Sequence, residues 1–200
     1  MATKIDAKKT SLLLLDLQNG FLSRLPADAS AAVVASTAST TSTARQHGIT
    51  VTYVHAALTA DEIAAIPDHN ATFAAIKASS EISAAMAPDA AATQIHAALA
   101  PAPGERLHRK IRYGTFMTGP STAILDDFRA RGIDTVILGG IVTSGAVLSA
   151  VRQLADLDFR LFVLEDCCAD YDQDVHNVLV QKVLPKQATV IKSADLAGLL

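Results

Sequence analysis

Four consecutive leucines, Leu12, Leu13, Leu14 and Leu15, run directly into a carboxylate, Asp16. So short a continuous apolar run fits a strand buried on both faces, the kind found in parallel sheets covered by helices on each side. The pattern recurs along the chain. Residues 11–15, 49–55, 135–138 (T-V-I-L), 160–164 (R-L-F-V-L) and a short late 189–192 read as strands, and the basic segment 106–112 as another. Between them, residues 29–47, 121–131, 147–156 and 174–183 read as helices, the first stopped by Gly48 and the last by Pro185. This alternation predicts one α/β domain over residues 1–200. Its expected form is a three-layer α/β/α sandwich on a mainly parallel, Rossmann-like sheet of about six strands with right-handed crossovers.

In such sheets ligands sit beyond the carboxyl ends of the strands. That rule singles out Asp16, His55, the Gly139-Gly140 pair read as a turn, and Glu165-Asp166 read as a strand end. Residues 59–103 follow another pattern. They are rich in Ala, contain Pro67, Pro88, Pro101 and Pro103, and have no strong strand, so short helices and loops are expected, as a lid or a subunit contact.

Composition removes several function classes. Half the residues are hydrophobic, Trp is absent, and aromatics are scarce, which suits small-residue helices packed on a sheet. A net charge of -3 argues against a nucleic-acid binder. The basic cluster R-L-H-R-K-I-R, residues 106–112, has two readings, a solvated strand end or an anion-recruiting mouth. Cys167 and Cys168 are adjacent, so they form no spaced zinc pair, and no metal or cofactor is expected. As free thiols they suit a reducing compartment. The leucine run is too short for a signal peptide or membrane span, and a cytoplasmic protein without membrane partners is expected.

Three segments carry candidate chemistry. Asp16 closes a buried run, and reads either as a general acid or base or as a turn and cap residue before Asn19-Gly20. Lys110 lies in H-R-K-I-R-Y-G-T-F, where strand alternation would put His108, Lys110 and Arg112 on one face. The third segment, D-T-V-I-L-G-G-I-V-T-S-G-A-V, leads a buried strand through Thr143-Ser144-Gly145 into a small-residue helix. Such a helix start either holds an anion or is an ordinary turn capped by Ser144. His55 reads as a pocket wall or a satisfied core histidine. Asp170, Asp172 and Asp174 read as an acidic turn capping the next helix.

Together these segments resemble the isochorismatase-like hydrolases over nearly the whole chain. The family's D-x-Q-x-x-F stands here as Asp16-Leu17-Gln18-Asn19-Gly20-Phe21. Its K-x-R-x-[GS]-x-F stands as Lys110-Ile111-Arg112-Tyr113-Gly114-Thr115-Phe116, and its G-x-x-T-x-x-C-V as residues 140–147. The resemblance implies catalytic Asp16 and Lys110. It also implies a pocket drawn from Gln18, Phe21, His55, Arg112, Tyr113, Phe116, Val142, Thr143, Ser144, Gly145 and Ala146. One position departs: the family's cysteine nucleophile is replaced by Ala146. That resembles the branch without the cysteine, in which an acidic residue cleaves a vinyl ether. The metal-binding branch carries two histidines near the second strand, whereas only His55 stands there, so no metal is implied.

A hydrolase of a small polar metabolite is therefore expected, with Asp16 protonating an isochorismate-type vinyl ether and Lys110 as its electrostatic partner. The alternatives are water-mediated hydrolysis of a small amide, imide or ureido compound, or a ligand-binding relative without catalysis. The resemblance adds a homo-oligomer, with a small molecule as the other partner.

Overall fold

The computed structural model describes residues 4–200. The strands are β1 (Thr10–Leu15), β2 (Thr50–Ala56), β3 (Arg106–Lys110), β4 (Thr135–Ile141), β5 (Arg160–Ala169) and β6 (Thr189–Ile191), and they form one parallel sheet in the order β3-β2-β1-β4-β5-β6. The helices are α1 (Asn19–Leu22), α2 (Ala27–Gln46), α3 (Ala60–Ala64), α4 (Ala74–Ala78), α5 (Ser80–Ala85), α6 (Ala123–Ala130), α7 (Leu148–Ala155), α8 (Gln173–Val178) and α9 (Leu196–Leu199). One π turn, Thr143–Val147, runs into α7, and a second, Leu179–Val183, follows α8.

The leucine run explains the layering. Alternate side chains of a strand point to opposite faces. Leu12 and Leu14 pack with Val33 and Ala44 of α2 and Leu196 and Leu199 of α9. Leu13 and Leu15 pack with Ile124 and Phe128 of α6 and Val151 and Leu154 of α7. All four leucines are buried, and each such side chain contributes about 1.5–3 kcal/mol relative to exposure. One strand with no polar face thus requires both helical layers, and the three-layer α/β/α arrangement follows. No helix among the described residues is long and apolar enough to cross a membrane.

Three local expectations are corrected. The glycine pair is not a turn: β4 continues through Gly139 and Gly140 to Ile141. Gly140 adopts φ 141°, and a Cβ there would stand 2.1 Å from the carbonyl oxygen of Leu15, so the glycine permits close approach between strands. Glu165-Asp166 does not end its strand, because β5 bulges where its register with β4 shifts and continues to Ala169. Arg112 shares no strand face with His108 and Lys110, since β3 stops at Lys110. Residues 59–103 do contain short helices, α3 to α5, and irregular turns.

Candidate active site

β1 lies at the sheet centre with β2 and β4 on either side, and Asp16 is the first residue past the end of β1. Its amide donates to Val54 O (2.8 Å) and its φ is 56°. A non-glycine residue there costs about 1–3 kcal/mol and persists only where surroundings impose it; Asp is among the residues that tolerate it best. The turn aims the chain out of the sheet just where the parallel neighbours also end.

Lys110 closes β3, two strands away. Its ammonium donates to Asp16 Oδ2 at 2.7 Å, with both side chains almost completely buried (1% and 5% exposed). It also donates to Tyr113 O at 3.0 Å, so two of its three N–H groups are engaged. Asp16 Oδ1 is buried with no hydrogen-bond partner. Burial pushes the Asp16 carboxyl above its ordinary range, and the adjacent ammonium pulls it only part of the way back. The carboxyl thus has one clamped oxygen, one uncommitted oxygen and a raised proton affinity.

Asp16 and Lys110 line a cleft of about 490 Å³. Phe21, Arg112, Tyr113, Val142, Ser144 and Ala146 line it too. The remaining candidates stand outside its lining. Gln18 is buried and brackets Ala56, donating to its carbonyl (3.0 Å) and accepting from its amide (2.8 Å), so it ties the exit of β1 to β2. His55 donates through Nδ1 to Thr93 O (2.8 Å), since a carbonyl can only accept. Phe116 is in the core with Ile124 and Val147. Thr143 is fully buried, with its hydroxyl 2.9 Å from His176 Nδ1. Gly145 lies against the Tyr113 ring, 3.0 Å from where a Cβ would be, so it sets how closely the ring approaches.

The start of the small-residue helix also differs from expectation. The residue before its first turn is Val142, which makes no side-chain cap, and the Ser144 amide donates to Asp170 Oδ2 at 2.7 Å. That amide is already occupied by a carboxylate of the chain itself. The acidic turn does cap α8, through Asp172 Oδ1 accepting from the amides of Asp174 and Val175. Asp170 instead reaches back to the cleft wall.

Sequence reasoning missed several lining residues. Arg24 follows α1, close to Asp16 in sequence, while Phe73, Ile76, Ile82, Met86 and Tyr171 come from α4, α5 and loops far away. Much of residues 59–103 therefore serves as a wall of the cleft, with Leu58, Ile66 and Met86 as its small core. The only signal in the sequence was the apolar content of that stretch. Cys167 and Cys168 are buried in the β5 core, outside the cleft lining, and burial pushes the Cys167 thiol up to about 11 and Cys168 higher still. Neither is poised as a thiolate. No cluster of His, Cys, Asp and Glu able to hold a metal occurs among the described residues.

Comparison with known proteins agrees with this fold. In sequence, the chain is 25% identical over 194 residues to a probable isochorismatase of Pseudomonas chlororaphis, covering 96% of this chain and 86% of that one. A shorter stretch of 81 residues is 35% identical to the uncharacterized isochorismatase family protein YecD of Escherichia coli O157:H7, covering 40% of this chain and 42% of that protein. In structure it resembles a cysteine hydrolase from Pseudomonas syringae pv. phaseolicola 1448A, with a TM-score of 0.85 at 19% identity over 98% of this chain and 94% of that one. It also resembles N-carbamoylsarcosine amidase from Thermoplasma acidophilum, with a TM-score of 0.73 at 24% identity over 92% and 96%. At such identities the structural likeness establishes the fold alone. The isochorismatase domain model matches residues 10–195, nearly the whole chain, and the chain belongs to the isochorismatase family of hydrolases.

Proposed function

We propose that this protein hydrolyses a vinyl (enolpyruvyl) ether of a small polar metabolite, with Asp16 as the general acid. The observation that carries the reading is the state of Asp16: buried, with Oδ2 held by Lys110, Oδ1 unpartnered, and its proton affinity raised. A carboxyl of raised proton affinity holds its proton to higher pH than an ordinary aspartate and can donate it to carbon. In the proposed step the Asp16 proton goes to the terminal CH₂ of the vinyl ether, giving an oxocarbenium centre. Water adds to that centre, the resulting hemiketal loses the alcohol as its C–O bond breaks, and pyruvate is released. The proton lost by the water restores Asp16. No nucleophilic side chain is needed, which suits Ala146 in the cleft wall. Lys110 stabilises the Asp16 carboxylate once its proton has left. Its remaining N–H capacity is small, so substrate carboxylates fall to other cations of the cleft.

A second reading, hydrolysis of a small amide with Asp16 as base to a water, is favoured by one observation, the fold shared with N-carbamoylsarcosine amidase. The two separate in one assay. Purified protein is offered isochorismate and simpler enolpyruvyl ethers, with pyruvate read through lactate dehydrogenase, beside N-carbamoylsarcosine and maleamate, with ammonia read. Pyruvate without ammonia is expected. Ammonia alone would establish the amide reading, and neither product would mark a binding protein. We propose further that the domain spans residues 1–200, is cytoplasmic, and assembles as a homo-oligomer.

A further inference from the structure

At the amino edge of the sheet, the edge opposite the cleft, three guanidinium groups line one hollow of about 560 Å³. Arg45 lies in the last turn of α2, Arg106 opens β3, and Arg131 follows α6. A cation at the end of a helix offsets its macrodipole, which accounts for Arg45 and Arg131 taken singly. It does not account for their meeting Arg106, which begins a strand, in a chain whose net charge is -3.

Two carboxylates serve these three cations. Glu105 accepts from Nε and Nη2 of Arg45 at 2.8 and 2.7 Å. Asp127 is shared, at 2.6 Å from Arg106 and 3.3 Å from Arg131. One positive charge is left over. The acids are sunk and the cations are not: the side chains of Asp127 and Glu105 are 5% and 13% exposed, against 58% for Arg106 and 37% for Arg131. Carboxylates so placed hold the arginines from the protein side, which removes part of the ordering cost a ligand would otherwise meet. Donor capacity remains. Of the five N–H groups of a guanidinium, Arg106 commits only those on Nη1, while Arg131 uses Nη1 on Asp127 and Nη2 on Thr50. The Gly104 amide has no partner among the described residues. Gly48 and Gly104 also line the hollow, and a Cβ on either would meet nothing within 4 Å, so the space beside them is open.

We infer that this hollow is a second ligand site, one that binds a phosphate group through Arg106 and Arg131 with Arg45 as its third wall. Donors that converge from a helix end, a strand start and a loop surround a compact tetrahedral dianion better than they match a single planar carboxylate, and guanidinium groups are well suited to phosphate oxygens. The group is either the free ion or the phosphate of a larger ester, since both present the same oxygens. The site is separate from the cleft: β3 begins with Arg106 and ends with Lys110, so its two ends serve different ligands. It does not rest on the vinyl-ether reading.

The test reads binding, so it stands apart from turnover. Orthophosphate and phenyl phosphate are titrated by calorimetry, at fixed ionic strength, into wild type, Arg106→Gln, Arg131→Gln and Arg24→Gln. The last is the control for the cleft, where Arg24 and Arg112 lie over the rings of Tyr171 and Phe73 at 4.4 and 4.9 Å. Wild type should show saturable binding, which Arg106→Gln and Arg131→Gln each weaken by roughly tenfold, the effect of one charge-assisted contact at a partly exposed site, while Arg24→Gln keeps it. Phenyl phosphate bound as well as orthophosphate would identify an ester as the ligand, and its exclusion would identify the free ion; either supports the site. No saturable binding of either anion would overturn it, as would binding lost in Arg24→Gln and unchanged in Arg106→Gln. Should the hollow's variants melt early, phenylglyoxal labelling of wild type decides, mapped by mass spectrometry. Phosphate should protect Arg106 and Arg131 and leave Arg24 reactive, and equal labelling of Arg106 with and without phosphate would refute the proposal.

Discussion

Replacing Lys110 by Met tests the electrostatics of the site through stability alone. The two side chains form an ion pair of 2.7 Å with almost no exposure, and Asp16 Oδ1 has no other partner. Removing the ammonium leaves a buried carboxylate without its counter-charge, a change that costs about 3–5 kcal/mol at neutral pH. Since a domain is stable by only about 5–15 kcal/mol, the variant should fold but be marginal. The cost should depend on pH, with a definite sign. Burial already raises Asp16, and Lys110 is the leading influence opposing it, so its loss raises the carboxyl further. A group whose folded pKa exceeds its unfolded value keeps a proton that the unfolded chain has released. Its stabilising contribution is complete below the unfolded pKa and is lost as pH rises through the folded one. Between the two the slope is about 1.4 kcal/mol per pH unit for a single site. Urea unfolding followed by far-UV circular dichroism, which needs no tryptophan, measures this from pH 5 to pH 8. The gap between wild type and Lys110→Met should widen as pH rises, and adding Asp16→Asn to the variant should flatten it. A gap constant with pH would mean that Asp16 is not desolvated and that the site is misread.

Gly140→Ala should lower stability by about 3 kcal/mol or more, because the new Cβ would meet Leu15 O at 2.1 Å on a backbone of φ 141°; an unchanged melting temperature would contradict the strand approach described. Iodoacetamide at pH 7.5 should leave Cys167 and Cys168 unmodified in the folded protein and turnover intact, with both alkylated in urea; stoichiometric loss of activity on native labelling would overturn the thiol-free mechanism. Light scattering at micromolar concentration should report an oligomer, and a monomeric mass would refute it.

What the sequence disclosed and what it hid follow from the range of the interactions. The leucine run announced a doubly covered strand because burial on both faces is written locally, in consecutive residues. The Gly139-Gly140 pair misled for a related reason. Glycines signal turns more often than close strand approach, and the backbone oxygen that demands Gly140 belongs to Leu15, far away in the chain. Glu165-Asp166 reads as a strand end because its charge interrupts an apolar run, while the bulge that carries β5 on to Ala169 is set by pairing with β4. In the site, Asp16 stands out through the strand-end rule and the resemblance, and Lys110 through the resemblance, which also makes it the electrostatic partner of Asp16; the structure pairs the two at 2.7 Å. Arg24, Phe73 and Tyr171 were invisible, since a stack of arginine on an aromatic ring is assembled from residues whose spacing carries no pattern. Gln18, Thr143 and Gly145 belong to the family motifs and His55 lies near the end of β2, but all four act from behind the lining, by fixing strand exits and ring positions.

The measurement that bears most directly on the central claim is pyruvate release from an enolpyruvyl ether by wild type and by Asp16→Asn, each checked by its melting temperature. Asn keeps the shape of Asp and can accept from Lys110, but it has no proton to give to carbon. Loss of general acid catalysis costs about a hundred- to ten-thousand-fold in rate. The account expects a loss in that range with the fold retained, and a wild-type rate falling as pH rises through the raised pKa of Asp16. Wild-type turnover by Asp16→Asn, with no change beyond a shifted melting temperature, would make Asp16 a structural residue and contradict the account.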